Sequence, residues 1–395
     1  MNLTLNEAKS ALLNIAKSLH VKHIMPLEMA LNEISATDIL CQKNLPSYNN
    51  SALDGFAFSH SDGLKTLKIV ATIYAGDIQE PILEPNQCYK IMTGAKVPED
   101  ADTIIPFEDT VEYSDTIVTL PPKIKKGNAF RFKGEEQKKG NILIKAGTKI
   151  TAPLIAMLAA QGITHIEVSA KPKIAIASTG DELKEPWQES SEDEIYNCNA
   201  YAIGAILKSF GFDSQYVGVI PDNLEASKEF IGNLTHYDVL LTSGGVSMGE
   251  ADFVRAGLEA HGFEAIFHGI NLKPGRPTMA GKMGKTLVIA LPGNPMAAYL
   301  NTFLLAIPAL QSIHGQKGDN GIEIIAKNET PFTCKGGRNE LVLGYFKNGK
   351  FNVARGNKYG SGMLTPLLES NALFVSSLET TNVEKGDYLA IVLLP

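Results

Sequence analysis

Between Lys173 and Leu310 short apolar runs alternate with segments whose apolar residues recur at helical spacing, and this alternation restricts the fold more than any other feature. "KIAIAS", "SQYVGVI", "YDVLLT", "FEAIFHGI" and "TLVIALP" have strand length. "NAYAIGAILKSFG" sets Ile203, Ile206, Leu207 and Phe210 on one helical face and stops at Gly211. "NLEASKEFIGNL", "ADFVRAGLEAHG" and "PMAAYLNTFLLAIPAL" read as further helices. Strands joined through helices pair in parallel by right-handed crossovers, so this part is expected to be a doubly wound, mostly parallel sheet.

The flanks have another texture. Residues to about Leu40 read as helical, opening with Thr4 and Glu7 at capping-box spacing and Ala8, Leu12, Ile15 and Leu19 on one face. From Leu45 to about Leu120 the runs "LKIVATIYAG", "CYKIMTGA", "DTIIPFED" and "DTIVTL", separated by Pro, Gly, Asn and Asp, predict a small β domain. A polar, Gly-rich stretch follows, and then "TAPLIAMLAAQG", a helix with Thr151 as N-cap and Gly162 as stop. From about Gly321 the chain is β again, with an Asn348-Gly349 hairpin signal. The expected fold class is multidomain α/β plus β. A central doubly wound, mostly parallel α/β domain (171–317) is accompanied by an N-terminal helical/linker part (1–44 and 121–170), a small β domain inserted in it (45–120) and a C-terminal small β-barrel-like domain (318–395).

The net charge of −7 speaks against broad nucleic-acid binding but leaves room for a local basic pocket. The four cysteines form no C-x-x-C pair, which argues against a zinc site, and with no secretory signal they point to the cytoplasm. No apolar run approaches membrane-spanning length, so no membrane is expected.

Ligands of parallel sheets bind beyond the carboxyl ends of the strands. Three strands end in unusual loops: "STGDEL" (Ser178, Thr179, Gly180), "TSGGVSMGEAD" (Ser243, Gly244, Gly245, Ser247) and "LPGNP" (Pro292, Gly293, Asn294, Pro295). Parallel strands point one way, so the loops should share one sheet edge. Gly244 and Gly245 would let backbone approach a ligand, helix-start amides favour an anion, and the serines add donors. The expected ligand is a phosphate or similar oxyanion; the plainer alternative is a set of tight strand-to-helix turns.

Asp181, Glu182, Asp222 and Asp252 fall at or just after strand ends. Carboxylates beside a phosphate site make sense if Mg2+ lies between them, since it takes one or two carboxylates plus phosphate oxygens and waters. Helix capping is the alternative for Asp181, Asp222 and Asp252. "NLKPGRPTMAGK" adds Lys273, Arg276 and Lys282 around a stiff turn suited to a doubly charged oxyanion, or else a solvated hairpin. Outside this unit, Asp54 in "NNSALDGFAF" and Thr93 in "IMTGA" are turn signals that acquire a role only if the small β domain faces the α/β site, in the same subunit or across a dimer.

Taken in order, "SALDGFA", "IMTGAKVP", "RFKGEEQKKG", "STGDEL", "IYNCNA", "TSGGVSMGEAD", "KPGRP" and "LPGNP" resemble the molybdopterin molybdenumtransferases, the MoeA family related to the E domain of gephyrin, over nearly the whole chain. The resemblance implies the last step of molybdenum cofactor synthesis: adenylyl-molybdopterin binds, molybdate is inserted at the dithiolene, and AMP leaves in a Mg2+-dependent step. It implies a homodimer whose cleft joins the α/β domain of one subunit to the small β domain of the other, and contact with the adenylyltransferase of the pathway. By motif position it gives Asp54, Thr93, Glu182 and Asp252 catalytic roles, matches Asp222 to an acid after its strand, and gives Pro292 and Pro295 a shaping role; the metal is expected at Asp181, Asp222 and Asp252. Glu136 stands where Asp is expected, Cys198 where Ser or Thr is usual, and Arg276 where Lys is usual. Rival readings are the adenylyltransferase itself, which resembles only the α/β part, and a scaffold without catalysis.

Overall fold

The computed structural model of the chain describes residues 3–61, 63, 65–77, 82–246, 253–316 and 323–395. Its centre is a six-stranded sheet in the order Gln215–Ile220, Ile174–Thr179, Val239–Ser243, Thr286–Leu291, Met279–Met283, Phe263–His268. The first four strands are parallel; Met279–Met283 alone runs the other way, so the last two pairings in the row are antiparallel. The central strands are apolar at every step because both faces are covered. Ile174, Ile176, Val239, Leu241, Leu287 and Ile289 enter one cluster, while Ala175, Ala177, Leu240, Val288 and Ala290 enter the other. Ser178 pairs with Ser243, and Ser243 with Leu291, so three strand ends lie in one row.

Two sequence expectations need correcting in this unit. "TMAGK" is not part of a cationic turn: Met279–Met283 is a strand, and Lys282 lies in it opposite Leu287 and Glu264. Second, Pro295–Ile313 is one continuous helix of 19 residues, long and apolar enough to cross a membrane. With 83% of its apolar window buried inside the protein, it is packed as a core helix. Pro308 has no N–H to give to Leu304, and the helix widens to a π turn over Thr302–Ala306 just before it.

Helix Leu5–Ala16 carries the expected capping box, Thr4 Oγ1 accepting from the Glu7 amide at 3.3 Å and Glu7 Oε2 from the Thr4 amide at 2.8 Å. It buries Leu5, Ala8, Leu12 and Ala16 in the α/β core. The helical reading fails beyond Leu19: Lys22–Pro26 is a strand paired with His165–Ser169, and Ile39–Leu40 pairs with Ile142–Ile144. These pairs and helix Ala152–Ala160 close on a small core of Leu27, Ile144, Ile150, Leu158, Ile166 and Val168. Thr151 is at the N-cap position but makes no side-chain cap bond.

Between Gly55 and Thr119 six strands form a mixed sheet in the order Thr103–Pro106, Gly55–Phe58, Gln87–Ile91, Thr66–Ile73, Ile117–Thr119, Glu112–Tyr113. At the C-terminus Asn339–Lys347, Lys350–Val353, Glu323–Asn328, Tyr388–Leu393 and Ala372–Val375 pair in sequence, and the last returns to the first, closing a barrel. Asn348 and Gly349 have φ of 51° and 78°, as the hairpin turn between the first two requires. Leu272–Lys273, from the α/β part, adds to this barrel in parallel with Asn339–Glu340.

Candidate active site

The three loops meet at one end of the sheet. Thr179 Oγ1 donates to the Ser243 carbonyl at 3.3 Å, and the Gly244 amide to the Leu291 carbonyl at 3.0 Å. Asn199, at the start of the next helix, joins two loops by donating to Ser243 Oγ and to the Gly293 carbonyl, both at 2.7 Å. Gly244 and Gly245 have φ of 91° and 62°, and a Cβ on them would stand 2.3 Å from Thr179 Oγ1 and 2.5 Å from Val254 Cγ2. Their missing side chains are therefore filled by protein: the glycines let the loops pack on each other, a reason different from the ligand approach expected of them.

Ser178 was expected to contact the ligand, but it is 1% exposed and donates to Asn197 Oδ1 at 3.2 Å. Buried Asn197 in turn donates to Glu185 and to the Tyr216 hydroxyl. Glu185 also accepts from Tyr216 and Tyr201, and burial followed by this carboxylate pushes the Tyr216 phenol pKa far up. Ser178 thus supports a floor. Above it is a cavity of about 420 Å³ lined by Thr179, Glu182, Tyr196, Asn199, Ser243 and Asn294, among others. Cys198 lines it half-buried, its thiol pKa raised by that burial. The Glu182 carboxylate lies over Gly180, 2.6 Å from where a Cβ would stand.

Asp181 and Asp222 are exposed at this sheet end. Neither caps a helix. Asn223 caps Leu224–Gly232 through its Oδ1 and the Ala226 amide at 2.9 Å, while after Asp181 the chain enters the short strand Leu183–Lys184. Ser247 and Asp252 lie outside the described residues. Among the described residues no group of three or more His, Cys, Asp or Glu side chains is placed to hold a metal.

A second cavity, of about 320 Å³, lies on the other side of the Pro292–Pro295 turn, between the α/β unit and the barrel. Lys273, Arg276 and Pro292 face Arg338, Asn357 and Ser361 across it. Asn294 lines both cavities. Lys273 Nζ donates to Glu340, which is 4% exposed and also accepts from the Lys335 amide at 2.8 Å and Asn357 Nδ2 at 3.3 Å. Burial raises the Glu340 pKa, but Lys273 and these donors outweigh it, and the net shift is downward. Arg276 and Arg338 have no carboxylate partner among the described residues. The Met296 amide, at the start of the helix expected to hold an anion, donates instead to the Ser361 carbonyl at 3.1 Å.

Sequence reasoning missed Arg338, Asn357 and Ser361. The one local signal was for Asn357, in the polar run "ARGNKYGSG", where Arg355, Gly356 and Asn357 all take positive φ.

Asp54 and Thr93, 39 residues apart, form one site in the inserted sheet. Asp54 Oδ1 accepts from the Thr93 hydroxyl at 2.7 Å and from its amide at 2.6 Å. Those two bonds, the hydroxyl's first, hold the exposed carboxyl below its ordinary pKa. The "RFKG" segment runs alongside, Phe130 pairing with Ser51 and Arg131 with Asn50. Phe56 is fully buried against Phe107 and Tyr113. Asp54 and Thr93 line neither cavity of the sheet end.

Comparison with known proteins covers the chain almost end to end. Residues 3–162 match the family described as MoeA N-terminal region (domain I and II), 175–312 match the probable molybdopterin binding domain, and 326–394 match the MoeA C-terminal region (domain IV). A molybdopterin molybdenumtransferase of Haemophilus influenzae is 32% identical over 396 residues, 98% of each chain. One from Nostoc sp. is 29% identical, covering 94% of this chain and 88% of its own. The crystal structure of the molybdopterin biosynthesis moeA protein from Pyrococcus horikoshii OT3 superposes with a TM-score of 0.84 at 25% identity, over 100% of both chains.

Proposed function

The chain belongs to the MoeA family of molybdopterin molybdenumtransferases, and from that premise we propose that it inserts molybdate into adenylyl-molybdopterin with Mg2+-dependent release of AMP. It is an enzyme of molybdenum cofactor biosynthesis. The adenylyltransferase reading, which rests on the α/β part alone, leaves the matches over 3–162 and 326–394 unexplained.

The observation that carries the reaction is the pair of cavities flanking one turn. The larger takes the adenylylated substrate: Thr179, Ser243 and Asn199 offer polar groups, and Glu182 stands at its rim. The smaller takes molybdate. Arg276 and Arg338 meet a tetrahedral dianion with charge-assisted hydrogen bonds, and Lys273 joins them in competition with Glu340. Holding both reactants against the Pro292–Pro295 turn makes the encounter intramolecular, which supplies much of the rate.

Exposed Asp181 and Asp222, with Asp252, are donors of the kind Mg2+ takes, one or two carboxylates completed by phosphate oxygens and water. When bound, the ion neutralises charge developing on the anhydride. Asp54 and Thr93 act from a second subunit. Their absence from both cavities supports this, as do Ile24, Met29, Leu31, Leu40 and Ile142, large apolar side chains exposed on the N-terminal unit.

We further propose four folding units at 1–44 with 121–170, 45–120, 171–317 and 318–395, a cytoplasmic location, and contact with the adenylyltransferase that makes the substrate. The test is single-turnover AMP release from adenylyl-molybdopterin with molybdate and Mg2+. Release that ignores molybdate rejects the assignment.

A further inference from the structure

The larger cavity has a polar floor and an apolar lip. Leu183, Ile195 and Tyr196 form the lip on a ribbon of two very short strands, Leu183–Lys184 paired in parallel with Ile195–Tyr196. So small a ribbon exposes much apolar surface: Ile195 is 57% exposed, Tyr196 49% and the neighbouring Trp187 73%. Exposed apolar groups gathered at a cavity rim mark a place where something apolar binds.

The ribbon is also held still. The Asn197 amide donates to the Lys184 carbonyl at 2.8 Å, and the Ile195 amide to the Glu182 carbonyl at 3.0 Å. Lys184 Nζ pairs with Glu194 at 3.0 Å. The Tyr196 hydroxyl donates to the Gln188 carbonyl at 3.2 Å, and the Glu185 amide donates to Gln188 Oε1 at 2.8 Å. The phenol is therefore anchored at its tip while its ring stays half exposed at the cavity. A ring fixed beforehand loses little freedom on stacking.

We propose that Tyr196 is a specificity-determining residue that stacks a flat nitrogen heterocycle of the substrate, adenine or pterin, while the polar floor takes the phosphates. This rests on the reading of the larger cavity as the site of the adenylylated substrate. Stacking needs only a π face, so the ring is retained in Tyr196→Phe and lost in Tyr196→Ala.

The experiment is calorimetric titration of the full-length protein with three probes: AMP, 6-hydroxymethylpterin, and ribose 5-phosphate, which has a phosphate and no ring. Tyr196→Ala is expected to weaken AMP or the pterin on the order of tenfold. It should leave ribose 5-phosphate unchanged, and Tyr196→Phe should stay within about twofold of the wild type. Weakening of AMP alone assigns the lip to adenine, and of the pterin alone to the pterin. Equal loss for ribose 5-phosphate overturns the proposal, since it marks a merely structural effect. Unchanged ring binding in Tyr196→Ala, or a wild type that binds neither ring, also overturns it. AMP release by the wild type, measured in parallel, separates the two readings. Release intact with ring binding indifferent to Tyr196 sinks only the stacking; no release with ring binding sensitive to Tyr196 sinks only the transferase reaction. Trp187, the only tryptophan, gives an independent fluorescence signal beside the lip.

Discussion

The two cavities differ in how they are built. The larger is made by consecutive loops of a single sheet, bound to each other by Thr179, Gly244 and Asn199. The smaller is a seam: Lys273 and Arg276 come from the α/β unit, while Arg338, Asn357 and Ser361 come from the barrel. One owes its shape to close packing within a sheet, the other to the docking of two units. Substitutions in the first should therefore damage chemistry and fold together, and substitutions in the second should affect one ligand while leaving the sheet intact.

Glu182→Gln gives the largest expected effect. If Glu182 acts at the reacting centre as proposed, its loss lowers single-turnover AMP release by about 10²-fold or more. The same protein should retain molybdate affinity in equilibrium dialysis. If the cleft is shared between two subunits as proposed, a mixture of Glu182→Gln and Asp54→Ala chains should regain activity that neither has alone, because a mixed dimer would contain one intact cleft. A mixture that stays dead argues against the shared cleft.

Gly244→Ala comes next. Its Cβ would stand 2.3 Å from Thr179 Oγ1 on a backbone with φ of 91°. A stability loss of about 2–4 kcal/mol in urea unfolding is expected. A smaller loss would mean that the loops part more readily than their contacts imply.

Arg338→Ala should raise the molybdate concentration for half-maximal AMP release about tenfold, with adenylyl-molybdopterin affinity and thermal midpoint little changed. Equal weakening of both substrates would erase the distinction between the cavities.

Acid should open the seam before the sheet. The Glu340 carboxyl has its pKa lowered on folding, so its contribution is fully present above the ordinary glutamate value of 4.5 and fades as pH falls through the lower folded value. Glu340→Gln should remove that part of the acid dependence. Smallest of all is Thr4→Ala, a residue that lines neither cavity; it removes the cap of helix Leu5–Ala16 and costs about 1 kcal/mol with no change expected in AMP release.

The same contrast governs what sequence reasoning could see. The parallel strands and their loops were legible because strand periodicity and Gly-Gly or Pro-Gly turns are local signals. The Asn348-Gly349 hairpin and the Thr4–Glu7 capping box were legible for the same reason. The strand Met279–Met283 was missed because Gly281 and Lys282 interrupt a run too short to show alternation beside a Pro-Gly turn. Arg338 and Ser361 were missed because nothing in the sequence around them records which surface the barrel docks against. The Asp54–Thr93 pair spans 39 residues, and each half alone is an ordinary turn. Burial of Ser178 beneath Asn197 likewise follows from tertiary packing.

The two-residue strand Leu272–Lys273 belongs by chain to one unit and by hydrogen bonding to the other, as a rung beside Asn339–Glu340. It leads directly into the turn that carries Arg276. A barrel that tilts away from the sheet must either break that rung or take the arginine with it. As long as the rung holds, access to the smaller cavity and the charge inside it are coupled mechanically, so that opening the door also moves the hand that would grasp the oxyanion.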